Sequence, residues 1–195
     1  MLKLLKKVAR RFIDRDESFN KKLRRLGAIV GNNVQIVDRG SLLFEPWVAY
    51  LIEIHDNVIV AAGVRFVNHD SSYSNLFDDL PVKYGKIIIG ENTYIGVNCV
   101  ILPGVEIGRN SLIGAGTLVN KSIPENSIAV GNPVRVIGNV EEGKEKYLKS
   151  IENARDPLVD FIDLGGSFSQ MKNRYGNATT DHIVNTVNNH FKNRK

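Results

Sequence analysis

Every sixth residue of two long blocks of this chain is apolar. One series runs Val30, Ile36, Leu42, Val48, Ile54, Val60 and Phe66; the other runs Ile89, Ile95, Ile101, Ile107, Ile113 and Val119. A period of six suits neither an α-helix, at about 3.6 residues per turn, nor a plain strand, which alternates every second residue. It suits short strands joined by bends, three hexads closing a triangular coil of about 18 residues. In the second block glycine follows the repeat residue at Gly90, Gly96, Gly108 and Gly114. Four positions after the repeat residue stand Thr93, Cys99, Val105, Ser111 and Thr117, and the first block has Val34, Gly40, Pro46, Ile52, Val58 and Val64 there. The repeat side chain is therefore expected to point into a prism, small or β-branched residues to fill its bends, and glycine to permit tight backbone. An antiparallel sandwich would have to produce this spacing by accident in two separate blocks.

The step from Phe66 to Ile89 is not a multiple of six. Residues 67–87 are polar, carry Pro81 and Gly85, and are expected as a loop thrown out of the prism, where function concentrates on a rigid scaffold. Residues 2–13 are expected as an amphipathic helix, with Leu5, Val8, Ala9, Phe12 and Ile13 on one face and five Lys or Arg on the other. Two readings fit it: a cap over the first coil, or contact with an anionic membrane surface. After Gly138 the hexads stop. Helices are expected over 141–154 and 180–193, with Pro157 interrupting between them. The organisation is then a helical cap over 1–27, a β domain over 28–138 with the inserted loop 67–87, and a helical extension over 139–195.

Charge is unevenly spread. The net charge is +5, yet residues 1–25 carry ten basic and three acidic side chains, and the rest sixteen and eighteen. The basicity belongs to the N-terminal segment and not to a nucleic-acid-binding surface. No apolar run approaches the ~20 residues of a membrane-spanning helix. The start lacks the apolar core and cleavage site of a secretory signal. The lone Cys99 excludes an internal disulfide framework. A cytoplasmic location is expected, with residues 1–13 available for peripheral contact at the inner membrane face.

The segment IGAG at 113–116, followed by Asn120-Lys121 and then Gly131-Asn132-Pro133, resembles the acetyl-CoA end of the hexapeptide-repeat acyltransferases. The segment VRFVNHD at 64–70 is similar to the place where the sugar O-acetyltransferases of that family keep a catalytic histidine. The resemblance implies a left-handed parallel β-helix, a homotrimer with its active site between neighbouring prisms, and acetyl-CoA as co-substrate. Carried over by position, Ala115 offers its amide to the pantetheine arm with Val97 one coil below. Asn120 and Lys121 stand near the phosphates, and Arg135 near the 3′-phosphate end, charges that Lys and Arg are suited to pair. The maltose and galactoside branch has a second basic residue where this chain has Gly138, and Thr where it has Asn120. That branch's substrate-anchoring Asn falls on Leu43. These departures turn the resemblance toward acetyltransferases of capsule, lipopolysaccharide and related surface-sugar pathways, acting on a small sugar acceptor.

His69 is the expected general base. Acyl transfer to a hydroxyl requires removal of the acceptor's proton, and an unperturbed imidazole, titrating near pH ~6.5, suits that task. Asp70 or a backbone carbonyl would hold the ring in its useful tautomer, although neighbours on an extended strand diverge. His55, after Ile54, is the rival base. Cys99, at an inward position, is expected to be an inert thiol, and His182 and His190 are assigned no chemistry. Three alternatives stand beside this reading: acylation of an amino sugar, a non-enzymatic scaffold, and a zinc carbonic-anhydrase site. The last needs three histidines where the prism offers two, so no metal is expected.

Overall fold

A computed structural model describes residues 16–152, 162–163, 166 and 179–192; the segment 2–13 and Pro157 fall outside them. By internal packing the chain divides into two units, Ser18–Lys144 and Met1–Glu17 with Glu145–Lys195. The described part of the second unit is mainly helical. It holds Thr179–Lys192 and the end of Val140–Glu152, a helix with no buried side chain.

The first unit is mainly β and consists of very short strands. In chain order they are β1 (Ile29–Val30), β2 (Gln35–Ile36), β3 (Ile52–Ile54), β4 (Ile59–Val60), β5 (Arg65–Phe66), β6 (His69–Asp70), β7 (Lys83–Tyr84) and β8 (Ile87–Ile89). There follow β9 (Tyr94–Ile95), β10 (Val100–Ile101), β11 (Glu106–Ile107), β12 (Leu112–Ile113), β13 (Leu118–Val119), β14 (Ser127–Val130) and β15 (Arg135–Asn139). A first sheet orders β1-β3-β8-β11, a second β2-β4-β9-β12-β14-β15, and a third β5-β10-β13. All pairings within them are parallel except β14 with β15. The chain visits first, second and third sheet in fixed rotation, Leu43 supplying the third sheet early by a bridge to Arg65. Ile101 pairs with Val119 and Ile113 with Ile95, each 18 residues apart. All thirteen repeat residues are buried, the most accessible being Val30 at 8%.

The coils are not uniform, which corrects the even 18-residue spacing. Val30 pairs with Ile54 and Ile36 with Val60, 24 residues on. The additional hexad makes no strand. Proline cannot donate to a ladder, and Pro46–Leu51 winds instead as a 3₁₀ turn kinked at Val48. Val48 and Ala49 remain buried beneath it. The second departure is the expected loop. It is a hairpin, with His69 opposite Tyr84 and Asp70 opposite Lys83, and its tip is residues 71–82. Both departures leave the third sheet and rejoin the first, in consecutive coils.

The bends depend on asparagine as much as on glycine. Asn33, Asn57, Asn92, Asn98, Asn110 and Asn126 all have φ between 54° and 59°. Each directly precedes an inward small or β-branched residue, and Gly63, Gly104 and Gly116 occupy the equivalent place with φ of 70–83°. Asparagine tolerates this left-handed conformation because its amide bonds locally. Here it bonds between coils. Asn92 donates to Asn110 and Asn110 to Asn126, both at 3.1 Å, and Asn33 donates to Asn57 at 3.2 Å. Gly96 answers a different need, since a Cβ there would stand 2.6 Å from the amide nitrogen of Ala115 on the next coil.

The open first coil is closed by the helix Asp16–Arg25. Leu23 is buried against the core, Asn20 Nδ2 donates to the Val34 carbonyl, and Arg24 donates to those of Val30 and Gly31. These bonds satisfy strand-edge acceptors that would otherwise invite another chain. Among the described residues no helix is long and apolar enough to cross a membrane.

The asparagine ladder gives a test. Asn110→Ala loses two amide bonds and puts a Cβ residue without a polar side chain at φ 54°. A loss of about 2 kcal/mol is expected, against about 1 kcal/mol for Asn110→Gly, which keeps the backbone freedom. Denaturant titration of both variants measures this, and Asn110→Ala matching the parent would reject the ladder's role.

Candidate active site

Two elements that leave the sheets meet around one imidazole. His69 stands at the root of the hairpin and Glu45 at the entry to the 3₁₀ turn one coil earlier. His69 Nδ1 lies 2.6 Å from Glu45 Oε2, with His69 about one quarter exposed. The approach is oblique to the ideal hydrogen-bond line, yet both atoms are shielded from solvent and have no other polar partner among the described residues. A carboxylate only accepts, so the nitrogen facing it carries the proton. Nε2 makes no hydrogen bond among the described residues and keeps its lone pair for a proton from elsewhere.

Two aromatic rings pack beside the imidazole, the three rings forming a near-equilateral cluster. Tyr84, across the hairpin, stacks on it with centroids 5.7 Å apart and planes at 27°. Trp47, from the 3₁₀ turn, approaches at 5.6 Å and meets Tyr84 edge-on at 6.0 Å. Asn68 anchors the root: it is buried, and its Nδ2 donates to the carbonyls of Leu51 and Gly85, tying both outgoing segments together.

Asp70 turns away. Its Oδ1 accepts the amide of Ser72 at 2.9 Å. Bonding from Ser72, through its hydroxyl first and then that amide, holds the carboxyl below the usual carboxylate range, with Lys83 and His69 adding to the effect. The orienting place beside His69 belongs instead to Glu45, which sequence reasoning missed together with Trp47 and Tyr84. A signal existed for the first two. Glu45-Pro46-Trp47 puts proline at a bend position of the repeat and carries the chain's single tryptophan.

His55 lies elsewhere, at the bend from first to second sheet. Its Nε2 is 2.7 Å from Glu53 Oε1, and Lys86 contacts the other oxygen. Those two bonds, Lys86 first, hold the Glu53 carboxyl below its ordinary range. Beside His55 runs an open groove of about 600 Å³ lined by Glu91, Glu106, Arg109 and Glu125, in which Arg109 is paired to Glu125 at 2.7 Å. Cys99 is buried, its Sγ donates to the Gly114 carbonyl at 3.1 Å, and burial pushes its thiol pKa up. No group of three His, Cys, Asp or Glu among the described residues is arranged to hold a metal.

Four of the remaining predicted residues occupy two bends. Asn120 and Lys121 follow β13 as Val67 and Asn68 follow β5, so they share the His69 bend, two strands along the stack. At roughly 4.8 Å per strand that offset is about 10 Å. Val97 and Ala115 follow β9 and β12 at the preceding bend, both exposed, with the Gly116 amide on the Val97 carbonyl at 2.7 Å. Arg135 opens β15 and is exposed. The Val134 amide donates to Leu118, bringing the 131–135 segment against the strand that leads to Lys121.

The chain is similar to known bacterial transferases. The family model "Bacterial transferase hexapeptide (six repeats)" matches residues 86–121. Protein CapG of Staphylococcus aureus is 37% identical over 157 residues, covering 78% of this chain and 86% of CapG. Galactoside O-acetyltransferase of Escherichia coli (strain K12) is 39% identical over 104 residues, 50% of this chain and about half (49%) of that relative's length. A solved galactoside acetyltransferase in complex with coenzyme A is 34% identical, with a TM-score of 0.47 over 61% of this chain and 58% of that one.

The Glu53 cluster makes stability depend on acid. A carboxyl held low stabilises fully above its unfolded pKa of about 4.3 and loses that contribution as pH falls through the lower folded value. Lys86→Met removes the larger cause. Its melting temperature is expected below the parent's at pH 7, with the gap narrowing as pH falls below about 4.3 and the carboxyl protonates. A gap that stays constant from pH 7 to 3 would show that Lys86 acts through packing.

Proposed function

The chain belongs to the bacterial hexapeptide-repeat transferases, and from that premise we propose that it is an acetyl-CoA-dependent O-acetyltransferase. Its acceptor on this reading is a hydroxyl of a sugar, a precursor of surface polysaccharide, and His69 is the general base. The observation that carries the reading is the His69 imidazole, with Nδ1 against Glu45 and Nε2 without a hydrogen bond among the described residues. On the same reading the three rotating sheets are a left-handed β-helix of 18-residue coils. The chain divides as 1–27, 28–138 and 139–195, and residues 1–13 remain available for membrane contact.

The residues fit a long anionic arm. At the bend of Val97 and Ala115, a Cβ added to Gly116 would meet nothing within 4 Å, so a strip beside the coils is open. Exposed Lys121 and Arg135 offer cations for phosphate. Acetyl-CoA supplies the activated acetyl thioester. His69 Nε2 takes the proton of the attacking hydroxyl and returns it to the leaving sulfur, while the Glu45 carboxylate steadies the transient imidazolium. Asp70 shapes the start of the hairpin tip through Ser72.

Placement on two bends bears on assembly. One side of six residues spans up to about 20 Å. An acyl donor lying along Val97 and Ala115 of one chain is therefore better placed for His69 of a neighbour, and we infer a homotrimer with sites between chains.

With acetyl-CoA and a panel of free and nucleotide-linked sugars, His69→Ala is expected to lose about 10²–10⁴-fold in kcat. Its acetyl-CoA affinity by calorimetry should stay near the parent's. Glu45→Gln should lose about tenfold and His55→Ala little. Lys121→Ala with Arg135→Ala should weaken acetyl-CoA binding several-fold, each at about 1 kcal/mol. A His69→Ala enzyme keeping over about a tenth of parental kcat would remove the mechanism.

Shared sites are tested by mixing. Ala115→Trp blocks the donor strip and His69→Ala removes the base, so each alone should be inactive. Co-expressed in equal amounts, they should recover about a quarter of parental activity if each site draws on two chains. No recovery would place the whole site within one chain.

A further inference from the structure

Two aromatic rings beside the candidate base stay in water: Trp47 is 60% exposed and Tyr84 47%. They stand on anchored elements and not on a loop tip. Val48 and Ala49 pin the 3₁₀ turn into the core, and Tyr84 is paired across the hairpin to His69. So much rigid apolar surface beside a polar centre marks a ligand site.

The ligand's chemistry follows from what surrounds the rings. Stacked C–H groups satisfy the aromatic faces. The second carboxylate oxygen of Glu45, whose partner oxygen faces His69 Nδ1, and His69 Nε2, which makes no hydrogen bond among the described residues, suit hydroxyl donors on the same small molecule. A pyranose ring has both, with apolar C–H faces and hydroxyls at its edge. A nucleobase of the acyl donor is excluded here by reach, because it lies at the opposite end of the donor from the thioester that must meet the same base.

We propose that Trp47, with Tyr84 beside it, is the acceptor platform, taking the C–H face of a pyranose and presenting one ring hydroxyl to His69 Nε2. Trp47 then determines acceptor specificity; this rests on the reading of His69 as the base of sugar acetylation.

Trp47 is the chain's only tryptophan, so the full-length protein carries its own probe. Methyl β-galactopyranoside, methyl α-glucopyranoside and N-acetylglucosamine are titrated against its emission, with open-chain galactitol as control. At least one pyranoside should give a saturable change, galactitol none, and the change should persist in catalytically dead His69→Ala. For the responding sugar, Trp47→Ala should raise KM about tenfold, Trp47→Phe less, and both should leave the KM for acetyl-CoA within about twofold. The platform is overturned if no pyranoside moves the emission, or if Trp47→Ala keeps the parental sugar KM. It is equally overturned if acetyl-CoA alone gives the change, or if Trp47 is closed to iodide quenching and Trp47→Ala dissociates the assembly, since the ring would then be a subunit contact. An active His69→Ala enzyme would instead refute the base and leave the emission result to stand on its own.

Discussion

In a stack of parallel coils, backbone amides find their acceptors on an adjoining coil. The Gly96 amide donates to Ile113, and that of Gly114 to Ala129. Position along the chain is thereby tied to residues about one coil away, and every inward side chain depends on that register. A single residue inserted within a strand would turn the following apolar residues out to solvent. Extra residues can be accommodated only at a bend, provided the chain returns to the stack where the next strand must begin. Both departures obey this rule. The hexad around Pro46–Leu51 and the hairpin of residues 67–86 leave after the third sheet and rejoin at β3 and β8, which pair in full register.

Extrusion at one bend in consecutive coils is what creates the site. Successive coils lie about 4.8 Å apart, so whatever leaves the bend on one coil is set beside whatever leaves it on the next. Glu45 and Trp47 come from the earlier coil, His69 and Tyr84 from the later. Asp70 is the closer partner of His69 in sequence, but strand alternation sends it to the other side of the hairpin, where Ser72 takes its carboxylate. The carboxylate that reaches the imidazole is 24 residues upstream, the same interval that separates Val30 from Ile54.

This explains what could be read from the sequence. The inward ladder was legible because one residue in six must be apolar for the stack to close, and Ile, Leu, Val and Phe stand at those places without exception. The long loop was legible because Phe66 to Ile89 breaks the count. The extra hexad was not, since Val48 keeps the period of six and is buried like its neighbours; only strand pairing reveals that this hexad adds to the coil and does not start the next one. Glu45 was hidden for the same reason, because its meeting with His69 depends on which coil each occupies. The asparagine bends left a usable trace: Asn directly before an inward small residue, as in Asn92-Thr93 and Asn110-Ser111, marks the left-handed position as clearly as Gly116-Thr117 does.

The stack also separates what must stay constant from what can vary. Replacing a ladder residue such as Ile101 by alanine would forfeit about 2–5 kcal/mol at a site that cannot collapse, because strands above and below hold the backbone. The extruded segments carry no such load beyond their roots. Val48, Ala49 and Asn68 tie those roots to the core, whereas Tyr73, Leu76 and Phe77 at the hairpin tip are largely exposed and bonded mainly to one another. Chemistry placed at the roots inherits the rigidity of the coils, so the spacing between His69 and Glu45 is set by strand stacking and not by loop conformation. On the proposed reading, the acceptor could then be changed at Trp47 or along the tip without disturbing either the ladder or the histidine.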